Sequence, residues 1–247
     1  MRVLSLAALL CLGTAAWAQS AVPWDYQGRF GPLSWGKLSP AYRACTDGRE
    51  QSPIDIRGAH RNKNLQPIEF HYLAGGVTLK NLGYTLEVKV HPGSYIIARG
   101  TRYDLESYIF HHPGEHSVNG QLSNMDVQLI HKSKDGKIAI IAVRLVENED
   151  APNAILASLW PHLPQAPNST SNDPDMVNPG GLLPGSRGYW TYMGSLTTPP
   201  CTEGVRWFVM EQPVTISTDQ LKEFTGLFGI NSRPLQDKND RQIEANQ

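Results

Sequence analysis

The sequence predicts a single mainly β (α+β) domain with short peripheral helices, and three observations carry that prediction. From Tyr84 to Val90, Leu86, Val88 and Val90 alternate with Thr85, Glu87 and Lys89, the period of two that marks a half-buried strand. From Ile138 to Val143 the run Ile-Ala-Ile-Ile-Ala-Val is apolar without a break, as in a central strand covered on both faces. Helical periodicity is confined to two short stretches. Ser217-Thr218-Asp219-Gln220 reads as a capping box with Leu221, Phe224 and Phe228 at helical spacing behind it, and Asn153 to Trp160 is a second candidate that Pro161 is expected to stop. Both helices are expected on the outside of a sheet. No internal repeat or linker divides the chain, and the turn-rich stretch from Pro164 to Pro184 reads as a polar excursion of a β protein.

The first residues read as an export signal. Arg2 supplies the charge, Val3 to Ala15 the apolar segment, and Ala16-Trp17-Ala18 a small-x-small cleavage site before Gln19. Residues 1–18 are therefore assigned to a signal peptide and 19–247 to the domain, with cleavage near Ala18-Gln19 and a periplasmic or secreted product. Cys11 leaves with the signal. No later stretch reaches the roughly 20 apolar residues of a membrane helix, so membrane insertion is not expected. A formal charge of -1 with no block of like charges gives no sign of a nucleic-acid or anionic-surface partner. Cys45 and Cys201 remain, and an even count in an oxidising compartment favours one disulfide over two free thiols.

Chemistry-bearing side chains are densest in Phe110-His111-His112-Pro113-Gly114-Glu115-His116 and Met125-Asp126-Val127-Gln128-Leu129-Ile130-His131, which hold four of the 8 histidines. A catalytic zinc needs three protein donors and an open position for water. Histidines hydrogen-bonded within a sheet would produce the same density. The residues themselves leave both readings open.

Trp24-Asp25-Tyr26, Gly31-Pro32, Trp35-Gly36, Cys45 and Gln51-Ser52-Pro53-Ile54-Asp55-Ile56 at one end, and Tyr189 to Cys201, Trp207, Arg233-Pro234 and Asn239-Asp240-Arg241-Gln242-Ile243 at the other, resemble bacterial exported α-class carbonic anhydrases in order and spacing. The resemblance runs from about Trp24 to Ile243. It implies a large, twisted, mostly antiparallel central sheet with a conical cavity, and a disulfide joining Cys45 to Cys201.

The family's zinc motif reads Phe-His-Phe-His-x-Pro-x-Glu-His on one strand, with a third histidine in Glu-x-His on the next. Aligned on Pro113, Glu115 and His116, the first ligand position falls on Ile109 and the second on His111; aligned on Met125 and His131, the third falls on Gln128 and its preceding Glu on Asp126. The chain thus resembles the carbonic-anhydrase-related type that lacks zinc ligands, with His111 the only surviving one. Ser107 replaces the Gln that orients the first ligand, and Tyr84 stands at the proton-shuttle position. Strand parity puts Ile109 and His111 on one face and His112 on the other, and puts Asp126, Gln128 and Ile130 on the cavity side with His131 facing away. A zinc held by His111, the Gln128 amide oxygen and Asp126 would rest on an amide, a poor partner for zinc compared with imidazole or thiolate, and Ile109 offers no donor.

Other apparatus matches the family. Thr197 and Glu115 correspond to the pair that accepts a hydrogen bond from zinc-bound hydroxide and relays it to a buried carboxylate. Ile130, Ile140, Leu196, Val205 and Trp207 match the apolar wall of the carbon dioxide pocket, with Thr198 beside them. Two functions follow as expectations: a binding protein for an unknown ligand or protein partner, with zinc absent or weakly bound, or an active carbonate dehydratase turning CO2 and water into bicarbonate and a proton at an atypical zinc site. Fold alone does not choose between them. A metal-independent hydrolase ranks last, because no Ser-His-Asp arrangement is readable.

Overall fold

The computed structural model describes residues 22–246; the predicted signal peptide lies outside the described residues. The strands that position the site are β1 (Gly75–Asn81), β2 (Leu86–Val90), β3 (Tyr95–Ala98), β4 (Thr101–His111), β5 (Met125–Lys132), β6 (Ile138–Glu147), β7 (Thr170–Val177), β8 (Tyr189–Ser195), β9 (Glu203–Met210) and β10 (Val214–Ile216). They belong to one 13-stranded sheet in the order β7-β1-β2-β4-β5-β6-β9-β8, continued by the short strands Glu244–Ala245 and His60–Arg61. Most neighbours are antiparallel. The sheet is nonetheless mixed, because β6 runs parallel to β9 and β10, and Glu244–Ala245 runs parallel to His60–Arg61.

Alternation along the strands sorts the side chains onto two faces. Tyr108 and Phe110 on β4, Val127 and Leu129 on β5, Ala139, Ile141 and Val143 on β6, and Phe208 on β9 join one core. Ile140 and Ala142 on β6 and Val205, Trp207 and Val209 on β9 form another on the opposite face. A fully buried Phe110 or Leu129 stabilises the fold by about 1.5–3 kcal/mol relative to exposure. β6 lies between β5 and β9 and is buried without interruption from Ala139 to Val143, which is why its sequence shows no alternation.

Three expectations change in detail. The strand read from Tyr84 begins at Leu86, because Thr85 still belongs to the turn: its carbonyl accepts from Leu82 N at 2.9 Å, while its hydroxyl donates to the Phe110 carbonyl at 2.5 Å. The stretch from Pro164 to Pro184 is not merely an excursion. It contains β7, which pairs antiparallel with β1 at the sheet edge, and its Ser, Asn and Asp residues mask the strand pattern. Pro161 ends the α-helix but not the helical path: α1 (Ala154–Leu159) passes into a 3-10 turn, Trp160–His162, whose early position needs no proline N–H.

The second helix matches its sequence signal. In α2 (Thr218–Phe228) the Ser217 hydroxyl accepts from Gln220 N at 3.2 Å, and Gln220 Oε1 accepts from Ser217 N at 3.1 Å, closing the capping box. Gln220 also bridges to α1 through Asn153, and Phe224 packs with Trp160 and Phe110 over the sheet. The N-terminal segment closes the opposite side, where Trp35, Tyr42, Cys45 and Cys201 form a small core joined by Trp24 and Tyr26. Cys45 and Cys201 are disulfide-bonded, 156 residues apart.

Candidate functional site: a buried histidine and carboxylate cluster

The ends of β4 and β5 bring the candidate residues together. In their antiparallel register Asp126 lies opposite His111, and Gln128 lies opposite Ile109. These four positions share the sheet face predicted for them. Beyond β4 the chain turns through Gly114, where an added Cβ would collide with the Ser123 hydroxyl and press on the Met125 carbonyl. Only glycine lets the backbone come close enough for Glu115 N to donate to Asp126 Oδ2 at 2.9 Å.

Asp126 and Glu115 are both buried and both accept several hydrogen bonds. Asp126 Oδ1 faces His111 Nδ1 at 3.0 Å, and Asp126 Oδ2 also accepts from Gln128 Nε2 at 3.3 Å. Glu115 Oε1 accepts from Arg233 N at 2.9 Å, Oε2 accepts from Gln128 Nε2 at 2.7 Å, and the Thr197 hydroxyl bonds the same carboxylate. His111 Nε2 lies 3.9 Å from Glu115 Oε2 and has no hydrogen-bond partner among the described residues.

Burial pushes the Glu115 carboxyl above its usual range, while the adjacent His111 charge pulls the other way. Burial opposes charging of His111, yet Glu115 and the Asp126 hydrogen bond outweigh it and hold the imidazole above its ordinary value. Arg233 lies close by, its guanidinium donating to Gln51 Oε1 at 2.9 Å, Ser52 O at 2.7 Å and Cys45 O at 2.9 Å, and burial lowers its pKa to about 10.

The other three histidines of the dense segments are tied elsewhere. His112 Nδ1 faces Asn124 O at 2.7 Å. His116 Nε2 meets the Tyr192 hydroxyl at 2.7 Å with its ring against Trp207, and burial lowers its pKa to about 4. His131, past a register shift in β5, meets the Tyr72 hydroxyl at 2.8 Å, and burial lowers its pKa to about 3. Of the four, only His111 faces the carboxylates.

Ile109 is partly buried and carries no donor atom, and no group of three or more His, Cys, Asp or Glu side chains among the described residues is arranged to hold a metal ion. Ser107 is buried on β4 opposite Ile130. Tyr84 packs on Trp24 and Tyr26, and burial raises its hydroxyl to about 12. The apolar wall does converge: Ile140, Val205 and Trp207 share one core, with Ile130 and Leu196 packed on it. Thr198 is part of the turn into the disulfide, its carbonyl accepting from Cys201 N at 2.8 Å.

Residues 30–247 match the family described as eukaryotic-type carbonic anhydrase. The chain belongs to the α-class carbonic anhydrase family. It is 36% identical to the carbonic anhydrase of Pectobacterium carotovorum over 97% of this chain and 98% of the relative. Its fold superimposes on the α-carbonic anhydrase of Thermovibrio ammonificans, solved with sulfanilamide, at a TM-score of 0.88 and 36% identity, covering 91% of this chain and 100% of that one. A dioscorin solved with ascorbate gives a TM-score of 0.85 at 29% identity, covering 90% of this chain and 97% of that one. Within this carbonic anhydrase fold, sequence reasoning passed over two groups that shape the site. Tyr26 buries a hydroxyl that has no hydrogen-bond partner among the described residues, and Arg233 secures Glu115 through its backbone; both stood in family-like segments, but no strand period links them to β4.

Proposed function

We propose that this member of the carbonic anhydrase family lacks the three-histidine zinc site and acts by binding rather than by hydrating CO2. One observation carries the reading: Gln128, at the third ligand position in the family comparison, donates its amide into Glu115 and Asp126. With Ile109 at the first position, His111 is the sole imidazole facing the cluster, and one imidazole among hydrogen-bonded carboxylates is not the donor set of a catalytic zinc. Zinc in the family lowers the pKa of bound water to about 7. No group of metal-holding side chains among the described residues supplies that effect. The structural neighbour solved with ascorbate indicates that a small molecule other than CO2 can be accommodated in a protein of this fold.

The active reading keeps a specific argument. Several bacterial relatives are named carbonic anhydrase, the Thr197 hydroxyl bonds Glu115, and His111 Nε2 has no hydrogen-bond partner among the described residues. Metal analysis and stopped-flow CO2 hydration on the purified chain decide between the two. Less than a tenth of an equivalent of zinc, with hydration at the uncatalysed rate, supports the binding reading. Near-stoichiometric zinc with sulfonamide-sensitive hydration overturns it. Export belongs to the same proposal and is supported by the Cys45–Cys201 bond, a bond typical of oxidising compartments. The intact mass of the periplasmic or secreted product tests the Ala18-Gln19 cleavage.

A further inference from the structure

A cavity lies on the face of the sheet opposite the histidine cluster, where the β3–β4 turn meets the starts of β6 and β9. Its volume is about 380 Å³, and its lining includes Arg99, Lys137, Arg206, Tyr103, Phe208 and Met193. That volume is within the range of small-molecule sites, which combine an apolar lining with a few placed polar groups. Strand parity separates it from the histidine cluster. Trp207 packs in the core that includes Ile140 and Val205, so Arg206, one residue earlier on β9, projects from the opposite face. Register places Arg206 beside Ala139 of β6 and Met193 of β8.

The three cations are not equivalent. Arg99 Nη1 lies 3.4 Å from Glu244 Oε2, and Lys137 Nζ lies 2.8 Å from Asp135 Oδ2. Arg206 is half-buried and has no ion pair, side-chain hydrogen bond or ring contact among the described residues. Burial holds its guanidinium below the ordinary range, and the neighbouring Arg99 charge adds to that effect against Tyr103, Glu244 and Glu50. A half-buried cation without a counter-ion costs free energy that an anionic ligand would offset. The guanidinium fork suits a carboxylate in two parallel hydrogen bonds.

We propose that this cavity binds a small organic carboxylate, its charged group on Arg206 and Arg99 and its flat apolar body against Tyr103 and Phe208. The site is independent of the zinc question, because it shares no residue with the His111 cluster. Benzoate is the probe, titrated into the purified full chain by calorimetry, with the side-chain resonances of Tyr103, Phe208 and Trp207 followed by NMR. The expected result is saturable one-to-one binding that shifts Tyr103 and Phe208 but not Trp207. Arg206→Gln should weaken it at least tenfold, and Arg99→Gln, at a half-exposed turn, several-fold; Arg99→Gln alone decides should Arg206→Gln fail to fold. Benzyl alcohol, with the body but no charge, and inorganic phosphate, with charge but no body, should each bind at least tenfold more weakly. No saturable benzoate binding, shifts centred on Trp207, variants that bind as wild type, or either control matching benzoate overturns the proposal.

Discussion

Gln128 and Glu115 are joined by a hydrogen bond of 2.7 Å from the amide nitrogen to Oε2. Both side chains are buried, so the bond is made where water cannot replace it. Gln128→Leu keeps the volume and removes the donor from two carboxylates. An unsatisfied buried acceptor costs about 1–3 kcal/mol, more when charged, and the variant should lose at least that much stability in urea. Glu115→Gln in the same background should recover part of the loss. Additive effects of the two changes would show that the pair is not coupled.

The disulfide gives a second expectation. Cys45 and Cys201 are 156 residues apart, so their bond constrains most of the unfolded chain. Replacing both by serine should cost about 2–5 kcal/mol, or a fall in Tm on the order of 5–20 °C for a domain of this size. Differential scanning calorimetry measures it, and mass spectrometry without reductant checks that the wild-type bond is present. An unchanged Tm, or two free thiols in exported material, would contradict this account.

How far the sequence discloses this arrangement depends on the kind of signal. The capping box at Ser217 and the alternation of Leu86, Val88 and Val90 are local, so they read correctly. Strand parity also placed Ile109, His111, Asp126 and Gln128 on one face before the register was known. What stayed hidden depends on distant chain: Arg233 reaches Glu115 across 118 residues, and Asn231 donates its side-chain nitrogen to both Tyr84 O and Phe110 O. The polar residues of β7 hid an edge strand, because one neighbour is enough to satisfy its ladder without an apolar run.

Acid sensitivity should come in part from His131 and His116. Burial holds them at about 3 and about 4, so both are neutral in the folded state where an unfolded histidine titrates near 6.5. The folded values are depressed, so the unfolded chain takes up protons first as pH falls. Stability is then fully present above about 6.5 and is lost on acidification toward the folded values, by roughly 1.4 kcal/mol per pH unit for each histidine. Urea melts between pH 7 and 4.5 should show this slope. His131→Asn should make it shallower by about one histidine's share, and an unchanged slope would remove His131 as a source.

The strongest test of the ligand positions is to rebuild them. Ile109 and Gln128 face each other across β4 and β5, and His111 is two residues from Ile109 on the same face. Ile109→His with Gln128→His therefore gathers three imidazoles on one face of two paired strands, the donor set of a catalytic zinc with a fourth position for water. Either single change gives two imidazoles and should bind zinc far more weakly. Without metal the double variant should be less stable than wild type, since it loses the Gln128 bonds to Glu115 and Asp126; added zinc should raise its Tm above the metal-free value. Hydration should return only in part. Ser107 and Asp126 differ from the family's orienting groups, which are typically worth about 10- to 100-fold, and Tyr84, held at about 12 by burial, is a poor proton carrier near neutral pH. Zinc affinity, Tm and CO2 hydration are measured for the wild type, both single variants and the double. A folded double variant that binds zinc no better than wild type shows that Ile109 and Gln128 are not the ligand positions.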